Sequence, residues 1–280
     1  MTVRLFQHEL HKLVTRRRSW IGFAAFFLLQ LAILALLQLP EPKEQVGALL
    51  AQNALPFAEF YQGQTLAIVI IAFTFTLLGA LYVALVGGDI VAKEVEEGTM
   101  RMILCRPISR TRLLAVKFVA CCIYTSALVV FLGVTALLLA TAYRGGLGKL
   151  FIFIRAEDLF ATYDTWPGLL RYARSICCLA FGTLAITAIA FMFSCFRMKP
   201  VSATVLTLTL FLGDLVLMNL PYFRSLKHWF LSHHVGFWVR TYHDPVPWAD
   251  VAVSVSIILG VVMTAFIIGV ARFCTRDLKT

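Results

Sequence analysis

Leu66–Val86 reads LAIVIIAFTFTLLGALYVALV, an apolar run without a charged residue, long enough to cross the hydrocarbon core of a bilayer as one helix. No water satisfies the backbone there, so each N–H and C=O must bond within the segment, and continuous helix does this. A soluble helix would carry a polar stripe, and a buried strand would be far shorter. Five further segments have the same character: Trp20–Leu39, Phe118–Tyr143, Ile176–Phe196, Val201–Leu220 and Val251–Ala271. The expectation is an all-α integral membrane protein, a single domain over residues 1–280 with six transmembrane helices.

Composition agrees. The 280 residues are 60% hydrophobic and only 14% charged, against about 25% charged in soluble domains. A net charge of +10 would suggest a nucleic-acid partner in a soluble protein. Here the Lys and Arg flank apolar runs, where they meet anionic headgroups, so membrane lipid is the expected partner and nucleic acid is not. Cys105, Cys121, Cys122, Cys177, Cys178, Cys195 and Cys274 all avoid the segments expected outside, so no extracellular disulfide framework is expected.

With the N-terminus inside, sixteen of the 25 Lys and Arg fall on the inner side, which predicts both termini in the cytoplasm. The third connection is the outlier, with Arg144, Lys149, Arg155, Arg171 and Arg174 on the outer side. Ahead of the first span, in residues 1–19, Val3, Phe6, Leu10, Leu13 and Val14 recur at helical spacing, which predicts an amphipathic helix lying in the inner interface. The arginines at 16–18 suggest a targeting signal, but the run that follows is too long and carries no small-residue cleavage site.

The most charged stretch follows the opening run. Gly87–Phe118 reads GGDIVAKEVEEGTMRMILCRPISRTRLLAVKF. Asp89–Lys93 and Lys93–Glu97 are opposite charges at i, i+4, so the second helix is expected to continue beyond the bilayer until Gly98 ends it. Thr99 can cap a short helix with Met100, Ile103 and Leu104 on one face and Arg101 and Arg106 flanking it; Pro107 stops it, and Ser109 caps the next. A short bracketed helix of this kind suits docking to a partner. The alternative is a solvated charged loop that only marks the inner face.

The order Asp89, Glu94, Gly98-Thr99, Leu104, Pro107, Arg110, Leu114 and Lys117 resembles the signature of the membrane subunits of ABC exporters of the second type, the permeases of drug, polysaccharide and antimicrobial-peptide efflux systems. The resemblance is dense over residues 87–117, and the six-span layout extends it to the whole chain. It implies a bacterial inner-membrane permease paired with a second copy or a homologous permease. It also implies that this connection is a coupling helix seated on a cytoplasmic ABC ATPase subunit, with ATP and Mg bound on that partner. Glu94, Glu97, Gly98, Thr99, Arg106, Pro107 and Arg110 become coupling candidates, beside the apolar Met100, Ile103 and Leu104. The chain itself lacks G-x-x-x-x-G-K-[ST]: Gly145–Leu150 comes nearest, with Tyr143 at the first glycine position and Leu150 in place of Ser or Thr. No enzyme activity is therefore expected of it.

Asp214 is the only acidic residue inside a span, costly at that depth. It is either a functional group at the subunit interface or substrate path, or a residue reaching the outer interface or pairing with Arg224. His228, His233, His234 and His243 lie among Trp229, Trp238 and Tyr242 without recognised metal spacing, so interfacial anchoring is expected and a metal site is not. An integral-membrane enzyme acting on lipid headgroups is the alternative function, but H-E-x-x-H and G-x-S-x-G motifs are missing. The short outer connections favour a small or amphipathic substrate.

Overall fold

The computed structural model describes residues 2–15, 17–52, 56–104, 108–154 and 159–275, with the backbone alone described at 2, 3, 17–19, 101, 103, 104 and 224. The helices are α1 (Thr2–Thr15), α2 (Arg17–Leu36), α3 (Pro40–Gln52), α4 (Phe57–Phe60), α5 (Gly63–Glu96), α6 (Thr99–Leu104), α7 (Arg110–Arg144), α8 (Thr165–Ser194), α9 (Pro200–Asn219), α10 (Leu231–Val235) and α11 (Trp248–Cys274). Among them α5, α7, α8, α9 and α11 are each long and apolar enough to cross a membrane, and α1 with α2, bent by 52°, forms a sixth candidate. The chain is an all-α integral membrane protein. Each expected apolar segment centres on one helix, although α2 stops at Leu36 rather than Leu39, α8 at Ser194 rather than Phe196 and α9 at Asn219 rather than Leu220.

Helix α8 is the centre of the bundle, packed against α5, α7, α9 and α11. Lipid gives helices no hydrophobic drive to associate, so close backbone approach and interhelical hydrogen bonds matter more. Both occur. A Cβ on Gly87 would sit 2.7 Å from the Ala190 Cβ of α8, and one on Gly88 would sit 2.7 Å from Thr204 Oγ1 of α9. This glycine pair lets α5 wedge between two neighbours. Thr187 donates to Thr125 at 3.1 Å, and the hydroxyls of Tyr82 and Tyr124 meet at 3.2 Å. Gln30 Nε2 donates to the Leu132 carbonyl and Tyr172 to that of Gly133. Residues Phe75–Gly79 form one π-helical turn inside α5.

The third connection holds an element that the sequence reading lacked. Strands β1 (Leu150–Ile154) and β2 (Leu159–Tyr163) pair antiparallel, from Leu150↔Tyr163 to Ile154↔Leu159. Leu150, Ile152 and Leu159 enter the core on one face; on the other, Phe151 is buried against Leu50 and Phe60, while Phe153 and Phe160 are exposed. The hairpin's surroundings also give the basic residues of this connection a structural use. Arg144 donates twice to the Tyr61 carbonyl, Arg171 to that of His243, and Arg174 to that of Thr241. Lys149 pairs with Glu59 at 2.8 Å, and Arg155 lies outside the described residues. These side chains are structural ties between the segments at this end of the bundle, a use that a count of flanking charges does not see.

Candidate functional site

The segment after α5 is built at the end of the bundle that also carries both chain ends: Arg110 Nη1 donates to the Cys274 carbonyl of α11, and Lys12 of α1 reaches Glu94 of α5. Lys93 and Glu97 stand 3.9 Å apart on the final turns of α5, the expected i, i+4 pair. Gly98 follows at φ +72°, a left-handed conformation in which any side chain would be strained, and it ends α5 as expected.

Beyond that point the structure reassigns several residues. Thr99 is the first residue of α6 and not a cap; its hydroxyl donates backward to the Glu94 carbonyl at 3.2 Å, sealing the end of α5. Ser109 holds the cap position of α7 with extended backbone, but its side chain makes no cap hydrogen bond. Met100 is 1% exposed and belongs to the transmembrane core, so it fastens α6 to its own bundle and offers no surface. Met102, on the other side of α6, is 67% exposed. Glu96, Glu97 and Gly98 are exposed as well, and a Cβ on Gly98 would touch nothing. The side chains of Ile103 and Leu104 and all of Cys105, Arg106 and Pro107 lie outside the described residues. Arg110 is engaged with the α11 terminus.

Glu94 is the largest departure. It is 1% exposed, and its Oε1 accepts from Lys117 Nζ at 2.7 Å and from Lys12 Nζ at 2.5 Å. Lys117, 0% exposed, also donates to Glu9 Oε2 of α1 at 2.8 Å. Two carboxylates and two ammonium groups thus tie α1, α5 and α7 together. Burial would raise the Glu94 carboxyl, but the charge and hydrogen bond of Lys117, then those of Lys12, outweigh it and hold it below the usual carboxylate range. Charges buried this deeply are tolerated because they are paired. Glu94 therefore cannot meet a partner directly. A signal for this was present in the sequence: Glu9 sits inside the apolar stripe of Phe6, Leu10 and Leu13, and Lys117 lies between Val116 and Phe118 on a helix that is otherwise apolar there.

At the opposite end, Asp214 accepts from the backbone N–H of Leu231 at 3.2 Å and of Ser232 at 2.6 Å, so it holds the start of α10. It closes the α9–α10 corner, and α10 folds back against α8, α9 and α11. His234 is buried, bonded to Ser254 and to the His228 carbonyl, and His233 accepts from Arg240. Burial first and Arg240 next lower His233 to about 4, so it is neutral at physiological pH. Among the described residues no three His, Cys, Asp or Glu side chains gather as a metal set.

The family described as ABC-2 family transporter protein matches residues 3–226, which include α1, the ion cluster and the connection. The chain belongs to that family. It is a membrane permease of an ABC transporter, a transport component and not itself an enzyme. The match ends within the segment between α9 and α10. Comparison with curated proteins gives no match.

Proposed function

We propose that this permease is one half of an ATP-driven exporter of a small or amphipathic substrate, in a bacterial inner membrane with both termini cytoplasmic. It pairs with a second copy or a homologous permease. A separate ABC ATPase binds and hydrolyses Mg-ATP and docks at the connection after α5. The observation that carries this reading is the corner formed by Glu96, Glu97, Gly98 and Met102: exposed, mixed acidic and apolar, and fixed to the bundle through buried Met100. A docking element has to be exposed toward its partner and anchored toward its own domain, because a loosely held contact transmits little displacement. ATP binding in the partner would move the two corners of a permease pair together and shift the spans between inward-open and outward-open populations.

The test uses Met102→Asp and Glu97→Lys, both on exposed side chains outside the spans. Co-purification of the ATPase should fall about tenfold or more for each variant, because a few anchors carry most of an interface, while insertion and melting stay at parent values. Parent-level ATPase recovery together with parent-level transport in both variants would defeat the docking assignment.

A further inference from the structure

At the same end of the bundle, the turn between α8 and α9 and the last turns of α11 enclose a cavity of about 400 Å³, lined by Cys195, Phe196, Arg197, Met198, Arg272 and Thr275. Its two arginines are placed alike. Arg197 is the first residue beyond the apolar segment ending at Phe196, and Arg272 the first beyond the one ending at Ala271. Both therefore stand at the depth where hydrocarbon gives way to headgroups. Arg272 lies with its guanidinium carbon 5.6 Å from the centre of the Phe196 ring, a position that orients the fork and leaves its N–H edges able to donate.

What these arginines lack is as informative as where they stand. Arg110, Arg144, Arg171 and Arg174 each donate to a main-chain carbonyl. Arg197 and Arg272 have neither such a bond nor a carboxylate partner among the described residues. Directly beyond the cationic pair the surface turns apolar. Ile268 is one turn before Arg272 on the same helical face and 41% exposed, Ile267 is 59% exposed, and Val201 on the first turn of α9 is 72% exposed. Guanidinium groups match phosphate oxygens in geometry and charge. A free phosphate would use the arginines alone, whereas a phospholipid uses both the arginines and the apolar stripe that continues from them. Basic pockets between spans at the cytoplasmic side are suited to anionic headgroups.

We propose that this cavity is a binding site for the phosphodiester headgroup of an anionic phospholipid, with Arg197 and Arg272 donating to phosphate oxygens and an acyl chain lying along Ile268 and Val201.

The experiment takes the full-length protein in detergent and measures retention of phosphatidylglycerol against phosphatidylcholine by native mass spectrometry. The Arg197→Gln/Arg272→Gln variant should lose about tenfold in phosphatidylglycerol retention, with its melting in phosphatidylcholine unchanged because both side chains are exposed. Arg197→Gln alone should lose part of the preference, and it carries the test should the double variant melt early. Arg4→Gln/Lys43→Gln, which removes the same charge elsewhere, should retain phosphatidylglycerol as the parent does. Millimolar inorganic phosphate should not displace the lipid. Three results would each overturn the proposal: parent-level retention in the pocket variants, an equal loss in the charge-matched control, or full displacement by inorganic phosphate.

Discussion

At the end that carries both termini, side chains of opposite charge hold α1, α5 and α7 to one another. At the other end the ion pairs, Lys149–Glu59 and Arg171–Asp244, are exposed on at least one side, and the ties to the bundle are arginine and tyrosine side chains on main-chain carbonyls. Glu9, Lys12, Glu94 and Lys117 form the first arrangement; Arg144 on Tyr61, Arg174 on Thr241 and Tyr163 on Tyr242 form the second. The difference lies in what one lost group leaves behind. Removing an arginine from a carbonyl leaves a neutral acceptor, whereas removing Lys117 leaves the buried Glu9 carboxylate without its ammonium partner and the buried Glu94 with Lys12 alone. Charge pairing at the α1 end makes the joint between α1 and the connection dependent on every member, while the ties at the other end act more independently.

The comparison is most exposed at Lys117. Lys117→Met should destabilise the protein by about 3–5 kcal/mol, the usual result of breaking a buried ion pair from one side. Arg144→Met at the hairpin end should cost only about 2 kcal/mol, the worth of hydrogen bonds to a charged donor. Denaturation of both variants in one detergent checks the order; equal losses would dissolve the distinction between the ends.

Acidification should separate the ends by a smaller margin. His233 has a folded value of about 4 against 6.5 for the free group, so the neutral folded form contributes stability that is full above pH 6.5 and lost as pH falls from 6.5 through 4. Glu94 is depressed below the usual carboxylate range, so its contribution is present above about pH 4.3 and lost only below that. Limited proteolysis between pH 7 and 5 should open the Leu231–Tyr242 segment before it frees α1. Release of α1 first would reverse the assignment.

Asp214→Asn is the mildest probe. The amide keeps one acceptor and loses the charge, so the start of α10 should loosen by about 1 kcal/mol. Hydrogen exchange at Leu231 and Ser232 should quicken while transport continues. Loss of transport with exchange unchanged would instead put Asp214 in the substrate path.

What could be read from the chain followed from local rules. Apolar length placed the helices, and the left-handed preference of Gly98 and the i, i+4 spacing of Lys93 and Glu97 described the end of α5. What could not be read depended on pairings distant in sequence. Glu94 and Lys117 are separated by the whole connection, and Glu9 lies in a helix more than 80 residues before Glu94, so the apolar neighbours of Glu9 and Lys117 hint at burial but nothing local names the partner of either. Met100 was assigned to an outward face because helical spacing defines a stripe without saying which neighbour covers it. LFIFI and LFATY are short runs without a clean alternation, because Leu150, Ile152 and Leu159 meet the ends of α5 and α8 on one face while Leu50 and Phe60 cover Phe151 on the other. Asp214 was weighed against Arg224 because a search for charge partners overlooks backbone N–H groups.

Helix α5 runs unbroken from Gly63 to Glu96, 34 residues, or about 51 Å at 1.5 Å per residue. The hydrocarbon core takes up about 30 Å of that, and residues 87–96 extend the helix roughly 15 Å past the apolar run. Were its Gly63 end held fixed, such a rod would act as a lever. A tilt of about 10° there would sweep the Glu96–Glu97 tip through about 9 Å, well beyond the width of a side-chain contact. In the other direction, a displacement of that size imposed on the tip would need only a slight change of angle at Gly63, where the N–H of Gln64 is bonded to the Leu147 carbonyl ahead of β1.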